Sequence, residues 1–263
     1  ECEGNAKPRL WRLKKSKALI VNYGLKNDGA EKVSQRLKSK KFSAPVGISV
    51  AKTNNAETVE TQKGIEDYVK AAKAFRNIGG YITVNISCPN TFGGEPFLEP
   101  GKLRILLEKV EDLKLQKPIF IKLAPDLSEK ELEELIDVTE VFKIDGYICS
   151  NLSKDRTSKK IMEKNISEKG GISGKVAEDN SNSQISYVYK KTGGKKIIIG
   201  CGGIFSAEDA YKKIKLGASL VQLITGMIFV GPQLIGEINS GLIELLKKDG
   251  FKNISEAVGR GVE

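Results

Sequence analysis

The stretch "IFIKLAPDLSEKELEELIDVTEVFKIDGYICSN", residues 119–151, decides the fold class. It opens on an apolar run, "IFIKLA" (119–124), and closes on another, "GYICS" (146–150). Between them "SEKELEELIDVTEVF" (128–142) carries apolar residues at helical spacing, and Ser128 stands ahead of acidic residues as a helix N-cap. Strand, capped amphipathic helix and strand again make a βαβ unit, whose two strands run parallel.

The same alternation extends outward. Strands are expected at "VGISVA" (46–51), "YITVNI" (81–86), "KIIIG" (196–200) and "SLVQLI" (219–224). Their Ile- and Val-rich runs suit parallel strands buried on both faces. Helices are expected over 59–75, 102–113, 182–192 and 206–217, the last capped by Ser206. Upstream, "RLWRL" and "ALIVNYG" read as a hairpin turning at "KKSK", followed by a helix in "NDGAEKVSQRLKSKK". Six βα strands fit an open doubly wound sheet, or a (β/α)₈ barrel whose first two βα units precede Glu1. Both architectures gather their functional groups at the carboxyl ends of strands.

Composition narrows the function. The 263 residues carry a net charge of +10, but the lysines are spread over amphipathic segments and aromatics are only 6%, which disfavours a nucleic-acid surface. There is no histidine, so proton transfer near neutrality falls to Cys, Ser, Lys, Tyr or a carboxylate. Cys2, Cys88, Cys149 and Cys201 form no C-x-x-C pair, which argues against a zinc or iron–sulfur site. The most apolar segment, 219–236, is interrupted by Gln, Thr, Gly and Pro, and no 18-residue apolar run exists to span a membrane.

The strand ends carry the chemistry. After the strand at 81–86 comes "NISCPNT", with Asn85, Ser87, Cys88 and Asn90. Cys88 opens a Gly- and Pro-rich loop, "CPNTFGGEPFLEPGKL", that suits a lid; a small buried hydrophobe is the plainer reading of the same thiol. Lys122 in an apolar strand suits either a structural ion pair, with Asp126 as partner, or a fixed charge against a cofactor. Ser49 and Lys52 end the strand at 46–51, while Ser150 and Asn151 end that at 146–150. Asn85, Asn90 and Asn151 offer the mixed donors and acceptors that an amide-rich ring requires, although a lone Asn often serves a turn. Three late Gly-rich stretches, "GGISGK" (170–175), "GCGGI" (200–204) and "ITG" (224–226), read as loops suited to a phosphate.

In order, "VNISCPNT", "IKLAPDL", "DGYICSN", "GGISGK", "GCGGI" and "GASLVQLITGMIFVGP" resemble the FMN-dependent dihydroorotate dehydrogenases, and the likeness runs from "GNAKPRLWRL" to "GFKNISEAVG". The resemblance implies an α/β (β/α)₈ TIM barrel in one catalytic domain over 1–263. It also implies oxidation of dihydroorotate to orotate in pyrimidine synthesis, with Cys88 as the catalytic base. Asn22, Asn85, Asn90 and Asn151 would bind the substrate. FMN would be held by Ser49, Asn85, Lys122, Ser150, Ser173, Gly174, Gly202, Gly203, Thr225 and Gly226. The overall likeness is to the membrane-associated, quinone-using class, which implies a peripheral place at the cytoplasmic face of the membrane and contact through a segment ahead of Glu1. Three features depart from that class. Cys88 stands where it has Ser, as in soluble enzymes that reduce fumarate or NAD. Val21 replaces a substrate Asn, leaving Asn22 as its substitute, and Leu152 replaces a hydroxyl residue. The first two βα units have no counterpart, so the chain as written is expected to hold FMN weakly or to be inactive. A uracil-reducing dihydropyrimidine dehydrogenase is a related alternative.

Overall fold

The computed structural model describes residues 1–262. In chain order its main elements are β1 (Leu10–Leu13), β2 (Ala18–Val21), α1 (Ala30–Lys38), β3 (Gly47–Val50), α2 (Thr61–Ala74), β4 (Tyr81–Asn85), α3 (Pro100–Glu111), β5 (Ile119–Lys122) and α4 (Glu129–Thr139). There follow β6 (Gly146–Cys149), β7 (Gly171–Gly174), α5 (Glu178–Lys191), β8 (Ile197–Cys201), α6 (Ala207–Lys215), β9 (Leu220–Gln222), α7 (Thr225–Val230), α8 (Leu234–Asp249) and α9 (Ile254–Ala257). The chain divides into two compact units. The first comprises Glu1–Arg9, Asn22–Lys122 and Leu127–Asp145, and the second the rest of the described residues.

In the first unit β3, β4 and β5 run parallel, with Val50 beside Val84 and Val84 beside Ile121. Ile82, Val84 and Ile121 are fully buried, as are Leu103 and Leu106 of α3. Each such side chain contributes on the order of 2 kcal/mol. Tyr68 of α2 meets Phe97 edge to face, with ring centroids 5.3 Å apart. The expected cap on α4 is present: Ser128 Oγ accepts from the Glu131 N–H at 3.3 Å, and the Glu131 carboxylate accepts from the Ser128 N–H at 2.8 Å.

In the second unit β6, β8 and β9 run parallel. Ser206 caps α6 through the Asp209 N–H. Two expectations are corrected here. "GGISG" is a strand, β7, which pairs antiparallel with β2 so that Ile20 lies beside Ile172, in a three-stranded sheet with β1. The physical reason is a partner about 150 residues away, which no local pattern announces. Strand β9 is not buried on both faces, because Leu220 is 57% exposed. The tail after Pro232 forms the long helix α8, whose Leu234 and Ile238 pack with Ile204 and Ala210.

Candidate active site

Within the first unit, the functional side chains follow from strand register. Asn85 and Lys122 are paired residues at the ends of β4 and β5, so both leave the sheet on the same face. The Asn85 carbonyl accepts from the Tyr68 hydroxyl at 2.7 Å, and its side-chain oxygen accepts from the Ser87 hydroxyl at 3.2 Å, bending the chain toward Cys88. Thr91 Oγ1 ties the loop to itself, donating to the carbonyls of Cys88 and Gly94 at 3.3 and 2.8 Å. Lys52, buried at 4% exposure, donates to the Phe92 carbonyl at 2.6 Å.

Cys88, Lys52, Tyr68 and Asn85 line one cavity of about 10 Å³, room for a single water. Cys88 is a free, partly buried thiol. Burial pushes it above the ordinary thiol range, and Glu95 adds to the rise. The Asn90 N–H opposes it most, followed by the Lys122 and Lys52 charges. Burial likewise lowers the Lys52 amine and raises the Tyr68 phenol, which stays a neutral donor. Ser49 is exposed and, with Asn85, Lys52 and Asp67, lines a larger cavity of about 670 Å³.

Sequence reasoning missed an amide web beside this loop. Asn5 Nδ2 donates to Asn22 Oδ1 at 2.9 Å and to the Asn90 carbonyl at 3.1 Å, while Asn54 Nδ2 donates to Asn5 Oδ1 at 3.0 Å. This brings predicted Asn22 and Asn90 together through Asn5, a residue of the "GNAKPRLWRL" stretch with no assigned role.

Within the second unit, Ser150 and Asn151 follow β6. The Ser150 N–H donates to the Cys201 carbonyl at 2.9 Å, and that of Asn151 to the Leu123 carbonyl at 3.1 Å. Ser150 Oγ is buried and has no hydrogen-bond partner among the described residues. Ser173 Oγ lies 2.8 Å from Thr225 Oγ1, which joins two of the three predicted glycine stretches. Gly174 and Gly203 have φ of +84° and +76°. A Cβ on Gly203 would lie 2.4 Å from that of Glu178, and one on Gly226 would lie 2.1 Å from the Ile204 carbonyl. These glycines are needed for close chain packing in addition to any ligand role. Gly202, with φ of +124°, completes the turn after β8.

The Asp126 carboxylate accepts from Ser153 Oγ at 2.6 Å, the Lys154 N–H at 2.5 Å and Asn180 Nδ2 at 3.3 Å. It serves the segment after Ser150. Behind β8, Lys213 is 1% exposed and donates to Ser181 Oγ and Asn182 Oδ1, both at 2.8 Å. Burial brings its amine down to about 8, against the pull of Cys201, Glu178, Cys149 and Asp209.

Parallel βα strands with a thiol, amines, amides and hydroxyls at their carboxyl ends place the chain among the α/β enzymes that work at that end of the sheet. Residues 1–246 match the dihydroorotate dehydrogenase family. Two curated relatives named dihydroorotate dehydrogenase (quinone) bear this out. That of Haloarcula marismortui is 38% identical over 256 residues, covering 97% of this chain and 71% of the relative. That of Crocosphaera subtropica is 39% identical over 267 residues, covering 97% and 70%. Among solved structures, ligand-free DHODH from Eimeria tenella superposes with a TM-score of 0.91 at 26% identity, over 100% of this chain and 79% of that one. The same enzyme in complex with ferulenol gives 0.88 at 27%, over 98% and 75%. The chain belongs to the dihydroorotate dehydrogenase family, and its fold class is that family's α/β barrel.

Proposed function

We propose that the chain oxidises dihydroorotate to orotate in pyrimidine biosynthesis with Cys88 as the base, using FMN, and passes the electrons to a quinone. The observation that supports the mechanism is the free, partly buried Cys88 thiol just after β4, where Asn85 and Lys122 are paired at the strand ends.

The residues fit a flavin. Ser150 Oγ is a buried hydroxyl with no partner among the described residues, and Ser173 and Thr225 form a hydroxyl pair. Ser49, Asn85, Lys122, Ser150, Ser173 and Gly174 would hold the ring and its chain, and Gly202, Gly203, Thr225 and Gly226 the phosphate. FMN held there would supply the oxidant for hydride removal from the substrate. Cys88 does the complementary work: its thiolate takes the proton from the neighbouring carbon. Asn22, Asn85, Asn90 and Asn151 bind the substrate's ring and carboxylate through amide donors and acceptors. Lys122 would set its positive charge against the bound flavin.

A raised thiol is a stronger base that is less often ionised. The active form is the thiolate, so kcat/KM for dihydroorotate should increase as pH rises through neutrality and level off only above the elevated Cys88 pKa. A profile that falls across the same range contradicts Cys88 as base.

The naming of the relatives as dihydroorotate dehydrogenase (quinone) supports quinone as the acceptor. A quinone partner would place the chain at a membrane surface, peripherally; among the described residues no helix is long and apolar enough to cross a membrane. Cysteine at position 88 favours a second reading, a cytosolic enzyme with fumarate or NAD as acceptor. Turnover of dihydroorotate with each acceptor in turn separates them. Activity with a ubiquinone analogue, and none with fumarate or NAD, is expected; the reverse result establishes the second reading.

A further inference from the structure

Asn5 is assigned no role by the mechanism above, yet it spends its whole side chain on the amide web. Asparagine ends are distinguished by their partners, and here the polarity is anchored at groups that cannot be reversed. The Phe92 N–H donates to the Asn54 side-chain oxygen at 2.7 Å, and the Gly24 carbonyl accepts from the Asn54 nitrogen at 3.1 Å. Asn54 therefore turns its NH₂ toward Asn5, which must answer with oxygen. The other end of Asn5 is then an NH₂, as the Asn90 carbonyl at 3.1 Å independently requires. That NH₂ also meets Asn22, which must answer with its own oxygen at 2.9 Å.

We propose that Asn5 is a positioning and specificity-determining residue: it holds the Asn22 amide with its oxygen inward, so that Asn22 offers the substrate an NH₂ and selects a ligand oxygen acceptor, a ring carbonyl or a carboxylate. The proposal rests on the reading that Asn22 touches dihydroorotate. Asn5 is itself clamped, its N–H donating to the Tyr23 carbonyl at 3.1 Å and its carbonyl accepting from Arg9 Nε. Gly24, at φ +64°, makes room for the two amides; a Cβ there would lie 2.5 Å from Asn5 Cγ and 2.6 Å from Asn54 Nδ2.

Asn5→Asp tests this, because a carboxylate still accepts from Asn54 but cannot donate to Asn22. Asn22 then turns its NH₂ inward and shows oxygen to the ligand. KM for dihydroorotate should rise at least about tenfold, the worth of one lost polar contact, with kcat changed far less. Asn5→Ala should raise it less, and in an Asn22→Ala background each change should retain only the smaller effect of the lost Asn90 carbonyl contact. Asn5 effects that persist at full size in that background, or an unchanged KM in Asn5→Asp, overturn the proposal. Side-chain amide hydrogen exchange, followed by NMR in the ligand-free protein, reads the amide polarity independently of turnover. In the wild type the Asn5 NH₂ should exchange slowly and that of Asn22 fast, and in Asn5→Asp the Asn22 NH₂ should slow. A protected Asn22 NH₂ in the wild type contradicts the assigned polarity even if activity is absent. Absence of dihydroorotate turnover with this exchange pattern intact would instead refute only the functional reading.

Discussion

Cys88→Ala should lower dihydroorotate turnover by about 10²–10⁴-fold while leaving flavin binding within a few fold of wild type. The thiol is the group at this loop that can take a proton from carbon: Lys52 is bound to the Phe92 carbonyl, and the Tyr68 phenol is raised by burial and bound to the Asn85 carbonyl. The loop should survive the truncation, because Thr91 holds it through main-chain carbonyls. Cys88→Ser keeps an ionisable group of similar size and should recover part of the rate, with its pH profile displaced upward. Steady-state kinetics and flavin absorbance on the FMN-saturated proteins separate the effects. An Ala variant with the wild-type rate removes Cys88 from the mechanism.

The largest structural effect is expected from Gly226→Ala. The added methyl would stand 2.1 Å from the Ile204 carbonyl and 3.1 Å from Leu234 Cδ2, so the start of α7 must move away from the turn after β8. Overpacking against backbone has little room to relax, and a cost of about 3 kcal/mol follows. For a chain of this size that is roughly 10 °C in Tm. Displacing Thr225 would also break its contact with Ser173, so flavin affinity should fall with stability. Thermal unfolding with and without FMN reads both. A variant of unchanged Tm would mean that the loop is looser than its packing indicates.

Much of the fold is legible in the sequence for physical reasons. Buried parallel strands must be apolar on both faces, so β4, β5 and β8 stand out as Ile- and Val-rich runs. Ser128 and Ser206 announce their helices because a helix start needs side-chain acceptors. Strand β7 does not, since its glycines have no strand propensity and its pairing with β2 is made only in the fold. The donors of Asp126 are not legible either, because nearness along the chain does not determine a carboxylate's partners; Asp126 finds Ser153 and Lys154. Asn5 is invisible for a related reason: its importance lies in Asn22, Asn54 and Asn90, which only folding brings to it.

The most direct test is to mix FMN-saturated protein with dihydroorotate under anaerobic conditions and follow the flavin absorbance. The wild type should bleach rapidly with dihydroorotate, dihydrouracil should leave it unchanged, and Cys88→Ala should bleach slowly if at all. Flavin that is bound yet unbleached by dihydroorotate, or bleached equally fast in Cys88→Ala, would contradict the assignment.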